Sequence, residues 1–214
     1  MRSFLPRASI LSLSVALIAL SAQIKFNLGP VPYTMQNMGI TIASLLLPPL
    51  DALMSVLIYI SLIAIGLPLA SGMRGGISVL IGYTSGYIWG FAISAPLMSM
   101  LSRAYLKRKK IPLRSIGKRE AAALLLISVL SFIPTYLLGY LVFLRYAVPS
   151  SSFYLWSSNV ASSIGFSSEN IYLMIFAASV LIFLPQDVLM DQTIGIALAK
   201  EIDRFLHERG IEWE

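Results

Sequence analysis

Two aspartates, Asp187 and Asp191, stand in an apolar stretch of the chain, directly after Leu184-Pro185-Gln186. A carboxylate central in a membrane-spanning helix costs about 2.5 to 3.5 kcal/mol on insertion scales, so it is expected to face a cavity or a partner. The two aspartates are four residues apart and therefore share one helix face. Such a pair can accept hydrogen bonds, exchange a proton or act as acid and base. We interpret Asp187 as a site residue, and Asp191 as a structural or proton-relay group.

A second group of polar side chains lies in the stretch 29–39, where two prolines are followed by Tyr33, Gln36 and Asn37. In hydrocarbon, broken backbone and amide side chains are tolerated only where protein or a bound ligand satisfies them. We therefore predict that this stretch forms one wall of a ligand site.

Glycines and aromatic residues are concentrated between residues 66 and 91. Glycine lets the backbone approach a ligand closely, so this region can wrap around a site rather than span a membrane. Tyr87 and Trp89 are candidate ligand contacts, and an interfacial aromatic belt is the alternative. Three of the glycines, Gly82, Gly86 and Gly90, are four residues apart and form a ridge on a helix. Helix packing alone would explain them.

The composition sets the elements that must position these residues. Hydrophobic residues make up 57% of the chain and charged residues 12%, against roughly 25% charged in soluble domains. A spanning helix needs about 20 mainly apolar residues. We predict an all-α integral membrane protein, one domain over residues 1–214, with six transmembrane helices in one bundle. The predicted spans cover residues 8–24, 34–47, 51–67, 83–106, 121–144 and 171–199.

The basic residues indicate the orientation, because cytoplasmic loops retain positive charge. With a cytoplasmic N-terminus, 13 of the 16 Lys and Arg residues fall inside, from Arg2 to Arg209, and Lys25, Arg74 and Arg145 fall outside. We therefore predict a multi-pass protein of the plasma membrane with both termini in the cytoplasm. The basic connector 103–119 contacts anionic headgroups or, alternatively, an acidic partner. The net charge of +6 forms no stripe with interleaved aromatics, so nucleic acid is not a predicted partner.

Small residues recur along the first predicted helix at spacings of three and four, namely Ser9, Ser12, Ala16 and Ala19. Such a stripe lets another helix approach closely. It serves either packing inside this bundle or docking of a second membrane protein. A signal peptide is the alternative for this segment, which we keep as a helix because further spans follow almost at once.

Several chemistries lack their residues in this sequence. The chain has no cysteine, its one histidine is His207 in the charged tail, and no phosphate-binding Gly-x-x-x-x-Gly-Lys-Ser/Thr run is present. We predict no metal site, no cofactor and no enzymatic activity, and we expect any ATP-driven cycle to need another subunit. The Ser-rich connector 146–170 is either a lid over an outward-facing site or a solvated linker.

The sequence resembles the biotin-specific substrate-binding subunits (BioY) of energy-coupling-factor transporters. The resemblance extends over about residues 10 to 200, in the family's order and approximate spacing. The matching motifs are Gly29-Pro30-Val31-Pro32-Tyr33-Thr34-Met35-Gln36, Gly66-Leu67-Pro68 with Gly75-Gly76, Gly86-Tyr87 with Gly90-Phe91, and Leu184-Pro185-Gln186-Asp187.

The resemblance implies a six-helix bundle with a vitamin pocket near its outward face. It implies biotin capture and uptake, with a membrane coupling subunit that docks on the first helix and two cytosolic ATPases as partners. Asp187 would then accept hydrogen bonds from the ureido N–H groups, while Gln36, Asn37 or Tyr33 would address the ureido carbonyl. Tyr87 and Trp89 would pack on the bicycle, and Arg74 would face the carboxylate unless it is a solvated loop residue.

The sequence departs from the family at the last motif, which usually reads Pro-Gly-Asp with a lysine three residues after the aspartate. Here Gln186 replaces the glycine and Met190 stands where the lysine would be. Another small vitamin or heterocycle is therefore an alternative ligand. A membrane enzyme using Asp187 and Asp191 and a purely structural bundle are alternatives of other classes. The sequence leaves the number of associated copies open, a homo-oligomer included.

Overall fold

The computed structural model of the chain describes residues 4–27, 31–166 and 170–210. Gly29 and Pro30 of the first motif, and Arg2 of the predicted cytoplasmic set, lie outside the described residues. In chain order the elements are α1 (Phe4–Gln23), β1 (Lys25–Asn27), β2 (Pro32–Thr34), α2 (Gln36–Leu46), α3 (Pro49–Ala64), α4 (Ile77–Ile81), α5 (Ser85–Lys109), a 3₁₀ turn (Leu113–Ser115), α6 (Lys118–Ser131), α7 (Ile133–Tyr146), α8 (Ser152–Ser163) and α9 (Ile171–Glu208).

The first part of the chain is shaped by prolines. The strands β1 and β2 pair antiparallel, with Phe26 opposite Tyr33, and lead directly into α2. Helix α2 has 11 residues and is therefore about 16 Å long, too short to cross the roughly 30 Å of hydrocarbon alone. It stops before Pro48, and Pro49 occupies the first turn of α3, where its missing N–H needs no partner. The short helix α2 thus begins and ends inside the bundle.

Helices α5 and α7 pack closely against each other, and glycine makes their approach possible. A Cβ added at Gly90 would clash with the backbone of Thr135, and one added at Gly86 with the backbone carbonyl of Leu138. The Ser94 and Thr135 hydroxyl groups hydrogen-bond across the same seam at 2.8 Å. Packing therefore explains Gly86 and Gly90, and it fixes α7 beside the N-terminal half of α5.

Helix α9 is irregular in its middle. Two π-helical segments, Ala177–Leu181 and Asp187–Gln192, flank Pro185. π-Bulges and prolines leave backbone carbonyls without their usual intrahelical donors, and neighbouring side chains satisfy them. The Tyr87 hydroxyl from α5 donates to the Ser179 carbonyl, and the Tyr33 hydroxyl donates to the Ile182 carbonyl. The irregular stretch is thereby tied to α5 and β2.

One end of the bundle collects the basic residues. Arg7 of α1 forms an ion pair with Asp51 in the first turn of α3. Arg114, in the 3₁₀ turn, lies 3.8 Å from the Asp203 carboxylate near the end of α9. Lys200 donates to the Ile116 carbonyl at 2.9 Å. The start of α1, the basic connector and the end of α9 therefore meet at one end, which we call the basic end.

Helical segments lie at all the predicted positions, and their bounds differ from the prediction by up to nine residues. Among the described residues, two helical segments are long and apolar enough to cross a membrane, Lys118–Tyr146 with 29 residues and Ile171–Glu208 with 38. Shorter apolar helices are Arg7–Gln23 and Pro49–Ala64. The all-α architecture is confirmed in this coarser form, and the count of six spans stays a prediction.

The Ser-rich connector, for which a lid and a solvated linker were the two alternatives, contains a helix. Residues 152–163 form α8, whose Ser157 and Ala161 are buried against the bundle. Phe153 of α8 packs against Phe143 of α7, with ring centroids 5.7 Å apart. The interpretation of this segment as a solvated linker is therefore wrong for α8, because one face of the helix carries enough apolar and small residues to pack.

Candidate ligand-binding site

A cavity opens at the end of the bundle that carries the β1–β2 hairpin, which we call the cavity end. About 690 Å³ of space, open solvent included, lies between its walls. Its walls come from β2 and the first turn of α2, the loop after α3, the N-terminal half of α5, the start of α7 and the middle of α9. Of the predicted site residues, five line it: Gln36, Asn37, Arg74, Tyr87 and Asp187.

Asp187 is the buried acid of this cavity, with 5% of its surface exposed. Its Oδ2 accepts a hydrogen bond from the Tyr136 hydroxyl at 2.7 Å, and the Asn37 side chain is a further hydrogen-bond partner. Both partners are neutral, and the ion pairs within the described ranges involve other acids. A buried carboxylate that no cation meets retains acceptor capacity for a polar ligand.

Gln36 and Asn37 are placed by the start of α2. The Gln36 side-chain amide donates to the Tyr59 hydroxyl at 3.0 Å, and that hydroxyl in turn lies 3.2 Å from the Leu69 carbonyl. This chain of hydrogen bonds joins α2, α3 and the loop after α3. It holds the first turn of α2, and with it Asn37, at the cavity wall.

The loop after α3 carries Arg74 to the opposite wall. Gln23, near the end of α1, donates to the Leu69 and Ala70 carbonyls at 3.1 and 3.2 Å and accepts from the Met73 backbone N–H at 2.9 Å. Gly66 and Gly76 adopt φ values of +103° and +90°, which only glycine takes without strain. The Arg74 guanidinium donates to the Ser71 carbonyl at 3.0 Å and remains exposed, so it can still meet an anion.

Of the two aromatic residues predicted to contact the ligand, Tyr87 lines the cavity and Trp89 does not. Tyr87 lies in the cavity wall, in space left by Gly139, where an added Cβ would clash with the tyrosine ring. Trp89 is 45% exposed, donates its ring N–H to the Leu80 carbonyl at 2.9 Å and does not line the cavity. Two residues along a helix correspond to a rotation of about 200°, so their side chains point in nearly opposite directions. Because Tyr87 faces inward, Trp89 faces outward.

Tyr33 supports the cavity from behind its wall rather than lining it. Its ring stacks on Phe183 with centroids 4.3 Å apart, and Phe183 does line the cavity. Burial, with a contribution from Asp187, raises the pKa of the Tyr33 hydroxyl to about 12. At neutral pH this hydroxyl is protonated, and it donates a hydrogen bond to the Ile182 carbonyl.

Asp191 lies beneath the cavity wall and is fully buried. Its Oδ1 accepts a hydrogen bond from the Gln186 side-chain amide at 2.9 Å, and its Oδ2 has no hydrogen-bond partner among the described residues. Asp191 does not line the cavity, and its role as a structural or proton-relay group stays a prediction.

The predicted docking stripe on α1 is only partly exposed. Ser12 and Ala16 are exposed, whereas Ala19 is only 9% exposed and belongs to the core of the bundle. The opposite face of α1 packs on α2, where a Cβ added at Gly39 would clash with the Ile18 backbone. Packing inside the bundle therefore explains Ala19, and the exposed part of the stripe remains a candidate docking surface.

The cavity residues that sequence reasoning missed include Tyr136 and Phe183. Phe183 looks like any apolar residue of its span, and nothing in the sequence marks it. Tyr136 follows Thr135 inside an apolar segment, so a polar pair in mid-span was the available signal. With these residues the cavity combines apolar rings, a buried carboxylate, amide groups and a peripheral guanidinium. It can bind a small, partly apolar ligand that donates hydrogen bonds at one end and carries an anion at the other.

Comparison with known proteins finds a family that matches most of the chain. The sequence profile of the BioY family matches residues 5–207. The probable biotin transporter BioY of Pyrococcus horikoshii is 43% identical over 86 residues, 40% of this chain and 53% of that protein. The biotin transporter BioY of Thermotoga maritima is 37% identical over 87 residues, 41% of this chain and 52% of that protein. The matched region thus spans about half the length of these relatives.

A solved structure resembles this one over nearly its whole length. It is the crystal structure of the S-component for biotin from an ECF-type ABC transporter, with a TM-score of 0.68, covering 95% of this chain and 93% of that one. The two sequences are 20% identical, so the likeness shows a shared fold. The helices of this chain therefore have an arrangement that is known from a solved structure.

Proposed function

Because the chain belongs to the BioY family, we propose that it is the substrate-binding subunit of a vitamin uptake transporter and that its ligand is biotin. Biotin has a ureido ring with two N–H donors and one carbonyl acceptor, an apolar bicycle and a tail that ends in a carboxylate. In this proposal, each of these groups meets a counterpart among the residues that line the cavity.

The observation that carries the proposal is Asp187, a buried carboxylate held by neutral donors in the wall of a small-molecule cavity. It would accept from the ureido N–H groups as a charge-assisted acceptor. Asn37 would donate to the ureido carbonyl, Tyr87 and Phe183 would pack on the bicycle, and Arg74 would meet the tail carboxylate at the open side.

The transport cycle would need further subunits. The exposed Ser12 and Ala16 of α1 would dock on a membrane coupling subunit through close helix packing, and two cytosolic ATPases would supply the energy. In this proposal the helices form six spans in the plasma membrane, the cavity opens outward, and both termini lie in the cytoplasm. The basic end would then face the anionic cytoplasmic leaflet.

Titration calorimetry of the detergent-purified protein tests the ligand. Biotin is expected to bind saturably with one site per chain, and riboflavin, thiamine and the biotin ring without its ureido group serve as comparison ligands. A folded protein that retains no biotin would contradict the proposal.

A different small heterocycle is the second candidate ligand, and one observation favours keeping it. Met190, where the resemblance would place a lysine, is 37% exposed and is absent from the cavity lining. The cavity therefore has Arg74 as its lining cation within the described residues. A ligand with N–H donors but no carboxylate would satisfy Asp187 equally well, and the comparison ligands of the titration distinguish the two.

A further inference from the structure

A second pocket adjoins the ligand cavity at its open side, and the proposed function leaves it without a role. About 560 Å³ of space, open solvent included, lies between its walls. Arg74, Val79 and Thr84 line this pocket and also line the ligand cavity. The two spaces therefore lie side by side at these three residues, and we call the second one the side pocket.

The remaining walls of the side pocket are small or polar. Its lining is completed by Gly75, Ser78, Gly82 and Tyr83, and it includes no carboxylate among the described residues. Arg74 brings a positive charge to it. Because like charges repel across a binding surface, the side pocket favours an uncharged polar group or an anion over a cation.

The wall that α4 contributes is held in place at both of its ends. At its start, the Gly76 N–H donates to a carbonyl of α3 at 2.7 Å. At its end, the Trp89 ring N–H donates to the Leu80 carbonyl at 2.9 Å, and the Tyr146 hydroxyl donates to the carbonyl of the last residue of α4 at 2.6 Å. A wall fixed in this way needs little ordering when a ligand arrives. Trp89, which faces away from the ligand cavity, thereby positions the side pocket.

The junction of the two spaces offers groups that suit the end of a ligand tail. Thr84 precedes α5, and its hydroxyl makes no capping hydrogen bond to that helix. Arg74 is exposed and is anchored through its Nε to the Ser71 carbonyl. In the proposed function the biotin carboxylate meets Arg74, so the tail ends beside the side pocket. A group attached to the carboxyl carbon then has the side pocket to enter.

We propose that the side pocket is an extension of the ligand site, and that the ligands of this protein include amides of biotin in which the tail carboxyl is joined to a small amino acid. This inference rests on the proposed function. Such a ligand keeps the ureido ring for Asp187, presents its amide to the Thr84 hydroxyl and keeps an anion beside Arg74.

The test titrates biotin and biotinyl-glycine into the full-length protein in detergent. Biotinyl-glycine retains an anion for Arg74, so it should bind the wild type within about fivefold of biotin. Ser78 is exposed and lines the side pocket but not the ligand cavity, so Ser78→Trp fills the side pocket alone. In this variant biotinyl-glycine should bind roughly tenfold or more weakly, while biotin stays within about twofold of its wild-type affinity.

Ile77→Trp is the matched control on the same short helix. Ile77 is 65% exposed and lines neither space, so the same added ring should leave the affinities for both ligands unchanged. Equal effects of Ser78→Trp on biotin and biotinyl-glycine, or no effect on either, would overturn the side pocket as the place of the substituent.

The wild type alone separates this inference from the proposed function. A protein that binds biotin and rejects biotinyl-glycine would overturn the inference and leave the proposed function standing. A folded protein that binds neither ligand would overturn both.

Discussion

The two ends of the bundle treat aspartate differently. At the basic end, Asp51 is paired with Arg7 and Asp203 lies beside Arg114. At the cavity end, Asp187 is met by neutral hydroxyl and amide groups. Pairing with arginine uses up the acceptor capacity of a carboxylate, whereas neutral donors leave part of it unused. Aspartate thus joins helices at the basic end, whereas at the cavity end it keeps acceptor capacity for a ligand.

Helix α2 shows the contrast within one short element. At its C-terminus, the Leu46 carbonyl accepts from the Arg103 guanidinium at 2.8 Å, and the Leu47 carbonyl accepts from Ser99. At its N-terminus, the Gln36 side-chain amide donates to the Tyr59 hydroxyl of α3 at 3.0 Å. Side chains of other helices thus hold the short helix at both ends. This rigid placement presents Asn37 to the cavity.

The largest effect that the comparison predicts is at Asp187. Asp187→Asn removes the charge from the buried acceptor, and biotin binding should weaken by about a hundredfold or more. Titration calorimetry measures the affinity, and the elution profile of the protein in detergent reports whether it is folded.

Asp51→Asn is the matched control at the basic end. It makes the same chemical change in a carboxylate that holds Arg7, so biotin affinity should stay within about twofold of the wild type. Equal losses in the two variants would break the distinction between the ends, because both would then act through the stability of the bundle.

The exposed face of α1 should be independent of the cavity. Ala16→Trp places a large ring where close helix packing is proposed, so assembly with the coupling subunit should fall by roughly tenfold or more while biotin binding is retained. Co-purification from membranes containing the other subunits measures assembly. Leu126→Trp, at an exposed position of α6, is the control for added bulk. Normal assembly of the Ala16 variant would remove this face from the docking surface.

The sequence allowed the helices and the polar cavity residues to be predicted for separate reasons. Long apolar runs mark helices whatever their tertiary contacts, and buried polar residues such as Asp187, Gln36 and Asn37 are conspicuous against that background. The short α8 was missed because its apolar residues form only a short run, Phe153 to Trp156, which serines flank on both sides. A helix of this kind is stabilised by packing, here of Phe153 on Phe143, which a single sequence does not display.

Side-chain direction was the harder part of the site. Tyr87 and Trp89 look equivalent in sequence, yet one lines the cavity and the other faces outward. Their directions depend on how α5 is rotated, and the contact of Gly86 and Gly90 with α7 sets that rotation. The orientation of the Gln186 amide was equally hidden, because it depends on Asp191 and on the distant Thr34.

A smaller effect is expected at Tyr136, the neutral donor to Asp187. Tyr136→Phe removes one hydrogen bond of 2.7 Å and keeps the ring in the cavity wall, so biotin should bind roughly fivefold to tenfold more weakly. A loss as large as that of Asp187→Asn would mean that Tyr136 contacts the ligand directly. Calorimetry on the two variants, alone and combined, separates these outcomes, since an indirect role makes the second change nearly silent.

The smallest effect is expected at Arg74, which lies at the open side of the cavity and is exposed. A charge pair with the biotin carboxylate is screened there, so Arg74→Gln should weaken biotin by only about twofold to fivefold. The loss should shrink further at high salt, and it should be absent for biotin amide, which has no charge to pair. Equal losses for biotin and biotin amide would show that Arg74 acts through the loop that it braces at the Ser71 carbonyl. The cavity would then recognise biotin through the Asp187 acceptor, without a cation that pairs with the biotin carboxylate.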